Sequence, residues 1–181
     1  TGRLLDLLKE EEVKAAFFVV TREAVKEEAL IDRMLSEGHV VGFHSMDHQN
    51  AMVRGYLHTR KDFRTGSEFM KRKGISDIWY RPPWGLTNLF SWHFVRKYGM
   101  KMVLWDVMAE DWERGATAGS IRKKCLSRVK DGSILCLHDG GRRTGGAPGA
   151  PEKTLEALTY VIPALKEAGY RFILPSEAVF R

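Results

Sequence analysis

Gly38-His39-Val40-Val41-Gly42-Phe43-His44-Ser45-Met46-Asp47-His48 is the stretch on which the reading of this chain turns. Its first half is a short apolar run between glycines and reads as a buried strand. Its second half places two histidines, His44 and His48, four residues apart. On a helical turn that spacing brings two side chains to one face, with Cβ atoms about 5–6 Å apart. Both imidazoles could then reach one metal ion. Alone, the pattern is more often a pair of surface or capping histidines. Position two is Ser45, not the Glu of the H-E-x-x-H zinc proteases, so a general base must come from elsewhere.

Working outward, the same alternation of apolar run and amphipathic stretch recurs. Residues 4, 5, 7 and 8 give the chain an opening helical stripe, and Ala15 to Val20 reads as a buried strand. Glu23 to Glu37 reads as one helix closed by Gly38, before the strand Val40 to Phe43. Helices are predicted over Tyr56–Lys73, Asn88–Tyr98, Ser120–Val129 and Thr154–Ala168, the last with Pro163 as a kink or boundary. Strands are predicted at Ile78–Tyr80, Lys101–Trp105, Ser133–Leu137 and Arg171–Leu174, with a terminal turn over Ser176–Phe180. Six strands alternating with helices imply a parallel sheet of βαβ units. No G-x-G-x-x-G opens the first strand–helix step, so a dinucleotide fold has no support.

Composition sets the outer bounds. The chain has 181 residues, 44% hydrophobic and 29% charged, enough for one domain spanning 1–181 with a sizeable core. No apolar run reaches the roughly 18–20 residues of a membrane span. The formal charge of +6 is compatible with an anionic polymer. Its clusters, Lys71-Arg72-Lys73, Arg122-Lys123-Lys124 and Arg142-Arg143, lack the aromatic interleaving of an RNA-binding signature, so no nucleic-acid partner is expected. Two cysteines, Cys125 and Cys136, make no disulfide framework, and Cys136 reads as core.

In parallel α/β folds functional residues gather where strands end. Here the strand ends read His44/His48, Arg81, Asp106/Asp111 and His138/Asp139. Each has a structural alternative: a strand-end cap at His138, a rigid turn at Arg81-Pro82-Pro83, a helix N-cap at Asp111. Together they compose a site for metal-assisted hydrolysis. A metal polarises an acyl oxygen and its water. A carboxylate takes a proton from that water, and a histidine gives one to the leaving nitrogen. A guanidinium can hold a carboxylate in place, and a buried Asp can orient a histidine and favour its imidazolium. The Gly140–Gly149 stretch carries no P-loop spacing and reads as a surface loop.

These residues resemble the motifs of the polysaccharide deacetylases of the NodB-homology type, carbohydrate esterase family 4. His44-Ser45-x-x-His48 is similar to the family's H-[ST]-x-x-H, and Arg81-Pro82-Pro83-Trp84-Gly85 to its R-x-P-x-G. Asp111-Trp112 matches the end of D-x-x-D-W, Leu135 to Asp139 the L-x-x-H-D motif, and Lys14 to Val19 the K-A-T-F-F strand. The resemblance runs from Leu4 to Ser176. It implies a distorted (β/α)7 barrel and hydrolysis of N-acetyl groups on a glycan, peptidoglycan or chitin-like. It implies a divalent metal, usually zinc with cobalt possible, on His44 and His48. It makes His138 the general acid, Arg81 the residue that positions the catalytic aspartate, and Asp111 the residue that tunes His138. Trp84, Trp112 and Leu137 would line the acetyl or sugar pocket. Action would be extracellular or at the cell wall. The resemblance departs in two places. The T-F-D-D motif, which carries the family's base and third metal ligand, has no counterpart here, so residues 1–181 are expected to be an N-terminally incomplete domain of this type, with the barrel's first strand upstream of Thr1, the alternative being a natively short protein. Met108 stands where D-x-x-D-W has its first Asp. The competing reading is a catalytically inactive member of the fold that binds wall glycan or a protein partner.

Overall fold

A computed structural model describes residues 1–140 and 145–178. Most of the predicted Gly140–Gly149 loop is described, but its residues 141–144, with Arg142-Arg143, and the end of the Ser176–Phe180 turn lie outside the described residues. The chain divides into two compact units, residues 16–104 and residues 1–15 with 105–181.

The first unit is built on four parallel strands in the order β1 (Ala16–Val19), β2 (Val40–Phe43), β3 (Trp79–Tyr80) and β4 (Lys101–Met102). Register follows the apolar runs: Val19 pairs with Phe43, Phe43 with Tyr80, and Tyr80 with Met102. The expected single helix over 23–37 is instead two, α2 (Thr21–Ala24) and α3 (Glu28–Ser36), separated by residues 25–27. Helices α4 (Tyr56–Arg72) and α5 (Leu89–Lys97) flank the later strands. Asn88 caps α5 by accepting the Ser91 N–H at 2.8 Å, and the Ser91 hydroxyl accepts the Asn88 N–H at 3.1 Å.

Rings of Phe43, Phe63, Tyr80 and Phe94 fill this core, with centroids 4.9–5.9 Å apart where Phe63 meets the other three. Two glycines make the packing possible. A Cβ at Gly42 would lie 2.7 Å from the Phe18 ring and 2.9 Å from the Trp79 carbonyl oxygen. One at Gly66, on α4, would lie 2.2 Å from Phe43. The residues immediately after Phe43 and Tyr80 are His44 and Arg81, so the packed rings fix where these two leave the sheet.

In the second unit β5 (Val107–Met108) lies parallel to β6 (Leu135–Cys136), with Val107 opposite Leu135 and Met108 opposite Cys136. Helices α1 (Gly2–Glu10), α6 (Ala118–Arg128) and α7 (Ala150–Glu167) complete it. Ile121, Cys125, Val161 and Leu165 are among its buried residues. Cys136 is buried as expected, and burial pushes the Cys125 thiol up to about 11. Helix α7 runs through Pro163 without ending there.

Two strand expectations are corrected. Arg171–Leu174 forms no strand: the Leu174 N–H is taken by the Glu177 carboxylate at 2.7 Å and Ile173 is 54% exposed. Conversely, the sequence pattern over 106–112 predicts no strand, yet β5 forms there. The described strands form one four-stranded and one two-stranded parallel sheet, and no ring of seven closes among the described residues.

Candidate active site

The candidate residues fall into two groups, one in each unit. In residues 16–104 the register sets His44 beside Arg81. The His44 N–H donates to the Val19 carbonyl, and the Arg81 N–H to the Phe43 carbonyl, each at 3.0 Å. His44 Nδ1 then lies 2.6 Å from the Arg81 carbonyl oxygen. A carbonyl only accepts, so Nδ1 carries the proton and Nε2 keeps its lone pair. A metal-ligating histidine is commonly held this way. The His48 ring centroid is 5.0 Å from that of His44.

The turn joining them is not helical, which corrects the spacing argument. Residues 44–48 have no helix, and Ser45 (φ 67°) and His48 (φ 53°) adopt the left-handed conformation. The Ser45 hydroxyl accepts the His48 N–H at 2.7 Å, folding the chain back on itself. Side-chain convergence here comes from a tight loop, and the loop is pinned from two sides. The first N–H groups of α2 at Thr21 and Arg22 donate to the Ser45 and Met46 carbonyls at 3.0 and 3.1 Å. From α4, the Asp62 carboxylate accepts the Met46 N–H. Burial, reinforced by the charge of Asp47, pushes the Asp62 carboxyl up to about 7 despite that bond.

Arg81 donates through Nη2 to the Leu104 carbonyl at 3.1 Å, and its guanidinium lies 4.2 Å over the Phe18 ring. Trp84, also left-handed (φ 54°) and 53% exposed, sets its ring 4.5 Å from His48.

In the second unit the β5–β6 register carries Asp111 to His138. Asp111 is fully buried, and its carboxylate takes three donors. They are the His138 backbone N–H at 2.7 Å, His138 Nδ1 at 2.8 Å and the Thr154 hydroxyl at 2.8 Å. A carboxylate accepts only, so Nδ1 is again the protonated nitrogen and Nε2 is left for chemistry. The His138 side chain is 38% exposed, and the Trp112 ring stands edge-on to it at 5.0 Å. Leu137 packs against the buried cluster of its unit. Asp106 has a structural part: it accepts the Ser133 hydroxyl at 2.9 Å and the Ile134 N–H at 2.6 Å, tying β5 to β6. Glu110 pairs with Lys124 and, at 3.4 Å, with Arg128, whose Nη1 also reaches the Met108 carbonyl.

Sequence reasoning missed Asp62 and Thr154. Asp62 had a signal: with Thr59, Phe63 and Gly66 it lies on the buried stripe of α4, an odd place for a carboxylate. Two imidazoles, one with its Nδ1 held by a backbone carbonyl so that Nε2 is the nitrogen left to face an ion, suit a divalent ion; among the described residues no third His, Cys, Asp or Glu groups with them.

One unit thus carries a carboxylate-held imidazole and the other a histidine pair, each beyond the end of a parallel strand. The sequence profile of the polysaccharide deacetylases matches residues 1–103. A peptidoglycan-N-acetylglucosamine deacetylase of Bacillus cereus is 30% identical over 179 residues, covering 98% of this chain and 80% of that protein. The peptidoglycan-N-acetylglucosamine deacetylase PgdA of Listeria monocytogenes is 30% identical over 98% of this chain, which spans only 35% of PgdA. The crystal structure of the Bc1960 peptidoglycan N-acetylglucosamine deacetylase superposes with a TM-score of 0.86 at 30% identity, over 97% of this chain and 79% of that one. The chain belongs to the polysaccharide deacetylase family, carbohydrate esterase family 4, and has its NodB-type α/β fold. The family is one of hydrolases that cleave N-acetyl amide bonds on glycans.

Proposed function

We propose that this chain hydrolyses N-acetyl groups of an N-acetylglucosamine-containing wall glycan, peptidoglycan first, and releases acetate at the cell wall. Its relatives act on peptidoglycan N-acetylglucosamine, and a formal charge of +6 suits an anionic wall polymer. His44 and His48 would hold the divalent ion, zinc by preference. When bound, the ion supplies Lewis acidity and an activated water.

The chain's own side chains do the rest. As the imidazolium, with protons on both ring nitrogens, His138 would give its Nε2 proton to the leaving amine nitrogen and return to the neutral Nδ1–H form that Asp111 holds. Asp111 keeps the ring in the tautomer that presents Nε2 and carries the counter-charge when the ring is protonated. Thr154 occupies the same Asp111 oxygen as the His138 backbone N–H, so the carboxylate cannot swing away. Arg81 offers a fixed guanidinium to a carboxylate. Trp84 would give an apolar wall beside His48, and Trp112 would give one beside His138, with Leu137 backing His138 from within. The observation that carries the reading is the double hold of Asp111 on the side chain and backbone of His138.

The test is acetate release from peptidoglycan and from N-acetylated chitooligosaccharides, with zinc or cobalt added and then chelated. Metal-restored release that His138→Ala abolishes is expected. Absence of release from metal-loaded protein on every glycan would overturn the reading and favour a member that binds without hydrolysis.

A further inference from the structure

The exposed apolar surface of residues 16–104 is concentrated, not scattered. Of the 13 large hydrophobic residues exposed among the described residues, nine lie in 51–57 and 84–92. Leu89 is 84% exposed, Leu57 76%, Val53 72% and Trp92 51%. These two segments are held side by side. The Asn88 amide donates to the Ala51 carbonyl at 2.5 Å and the Arg54 carbonyl at 3.0 Å. The Tyr56 ring packs against Phe90 at 5.8 Å and Phe94 at 5.4 Å. Contiguous exposed apolar surface of this kind marks an interaction site.

The charge lies on the same two segments and the helices they open. Residues 51–64 and 84–97 contain six cations, Arg54, Arg60, Lys61, Arg64, Arg96 and Lys97, against one carboxylate, the part-buried Asp62. That is a formal +5 of the chain's +6. Only Arg64 among them is shared with a nearby carboxylate, Glu68 at 3.9 Å, besides the i+4 geometry that any helix offers.

Helical periodicity orders the two properties. On α4 the exposed stripe runs Leu57, Arg60/Lys61, Arg64, opposite the buried Thr59, Phe63 and Gly66. On α5 it runs Leu89, Trp92, Arg96, opposite the buried Ser91, Phe94 and Val95. Apolar groups therefore crown the N-terminal ends of both helices, and cations follow one to two turns down, about 5–10 Å away. That is the depth profile of a surface that sinks apolar tips to the acyl boundary and meets phosphates with its cations. Five of the nine exposed residues are Met52, Val53, Leu57, Leu86 and Leu89, and the other four are Tyr56, Trp84, Phe90 and Trp92; exposed aliphatic tips beside Trp and Tyr are the composition of a membrane-interface surface. No helix among the described residues is long and apolar enough to cross a membrane, and the crown would reach a bilayer only through side chains at its tips.

We propose that the crown formed by 51–57 and 86–92, with the cations of α4 and α5, docks this chain on an anionic lipid bilayer. Trp84 lies just ahead of the second of these segments and touches His48, so docking holds the histidine turn close to the membrane surface. The proposal stands apart from the deacetylase reading.

Its test is co-sedimentation of the chain with vesicles of phosphatidylcholine alone and with phosphatidylglycerol mixed in. Binding to the mixed vesicles only is expected, weakening at least tenfold as salt rises from about 0.05 to 0.5 M. Leu57→Asp/Leu89→Asp and Arg60→Glu/Lys61→Glu should each cut it at least tenfold, with unchanged thermal midpoints because all four side chains are exposed. Leu57→Ser/Leu89→Ser serves if the acidic pair fails to fold. Lys9→Glu/Lys123→Glu, with the same charge change off this face, should retain binding. Equal loss in that control, binding that ignores phosphatidylglycerol, or vesicle binding unaffected by the crown variants would overturn the proposal. So would crown-dependent retention on insoluble peptidoglycan without vesicle binding, which would make the face a glycan platform.

Discussion

Asp62→Asn should stabilise the metal-free protein above neutral pH and leave it unchanged near pH 4. The carboxyl rises from 3.8 to about 7 in the folded chain, chiefly because burial disfavours the charged form. A group whose folded pKa is raised contributes its stability below the unfolded value, and that contribution is lost as pH rises through the folded value. The window is therefore pH 4 to 7. A shift of about three units at about 1.4 kcal/mol each sets a ceiling on the order of 4 kcal/mol. Asp62 is only part-buried, so roughly half of that is the expected effect. Asparagine keeps an oxygen to accept the Met46 N–H, so the turn retains its anchor. The assay is urea unfolding of both proteins at pH 4.5 and pH 8, with a chelator present. The difference should be about 0.5 kcal/mol at the lower pH and about 2 kcal/mol in favour of the variant at the higher. Equal differences at both pH values, or a less stable variant at pH 8, would refute the argument.

Gly66→Ala gains about 1 kcal/mol of helix propensity but drives a methyl into Phe43, where overpacking costs about 1–3 kcal/mol. A lower melting temperature is expected, with loss of cobalt affinity because Phe43 adjoins His44; a higher melting temperature would contradict the packing. Asp111→Asn should retain the fold by circular dichroism and lose about 10²–10⁴ in acetate release, since the amide cannot carry the imidazolium's counter-charge. Thr154→Val removes one donor to a fully buried carboxylate, and denaturant titration should show a loss of about 1–3 kcal/mol.

What was legible in the sequence lay where chemistry sits next to a strand. His44, Arg81 and His138 each directly follow an apolar run, and Asp111 lies six residues beyond the run that ends at Trp105, so their placement near strand ends could be read without knowing the register. Local conformation was less accessible. Two histidines four apart look helical, yet Ser45 and His48 take positive φ because the chain must turn back at the end of β2. Nothing at Val25–Glu27 breaks the pattern that continues from Glu23 to Glu37, since neither glycine nor proline marks the gap. Strand β5 has two residues, too few to show a period. Arg171–Leu174 has the apolar composition of a strand but no ladder. Asp62 and Thr154 act through partners 16 and 43 residues away, and no local window contains both ends of such a bond.

Helix α4 touches the histidine turn's frame twice. Gly66 receives Phe43, immediately before His44, and Asp62 holds Met46, midway between the histidines. The two contacts are four residues apart on one helical face, so α4 works as a jig that gauges the start of the turn against its middle. Such a jig separates what lineages can vary from what they cannot. Residues added between 49 and 55 would lengthen the connection and reshape the rim while leaving both gauge points where they are. One residue removed between 62 and 66 would rotate the points by about 100° relative to each other. Length variation should thus accumulate ahead of the helix and be purged across its second and third turns, letting the rim diversify around an unchanged pair of histidines.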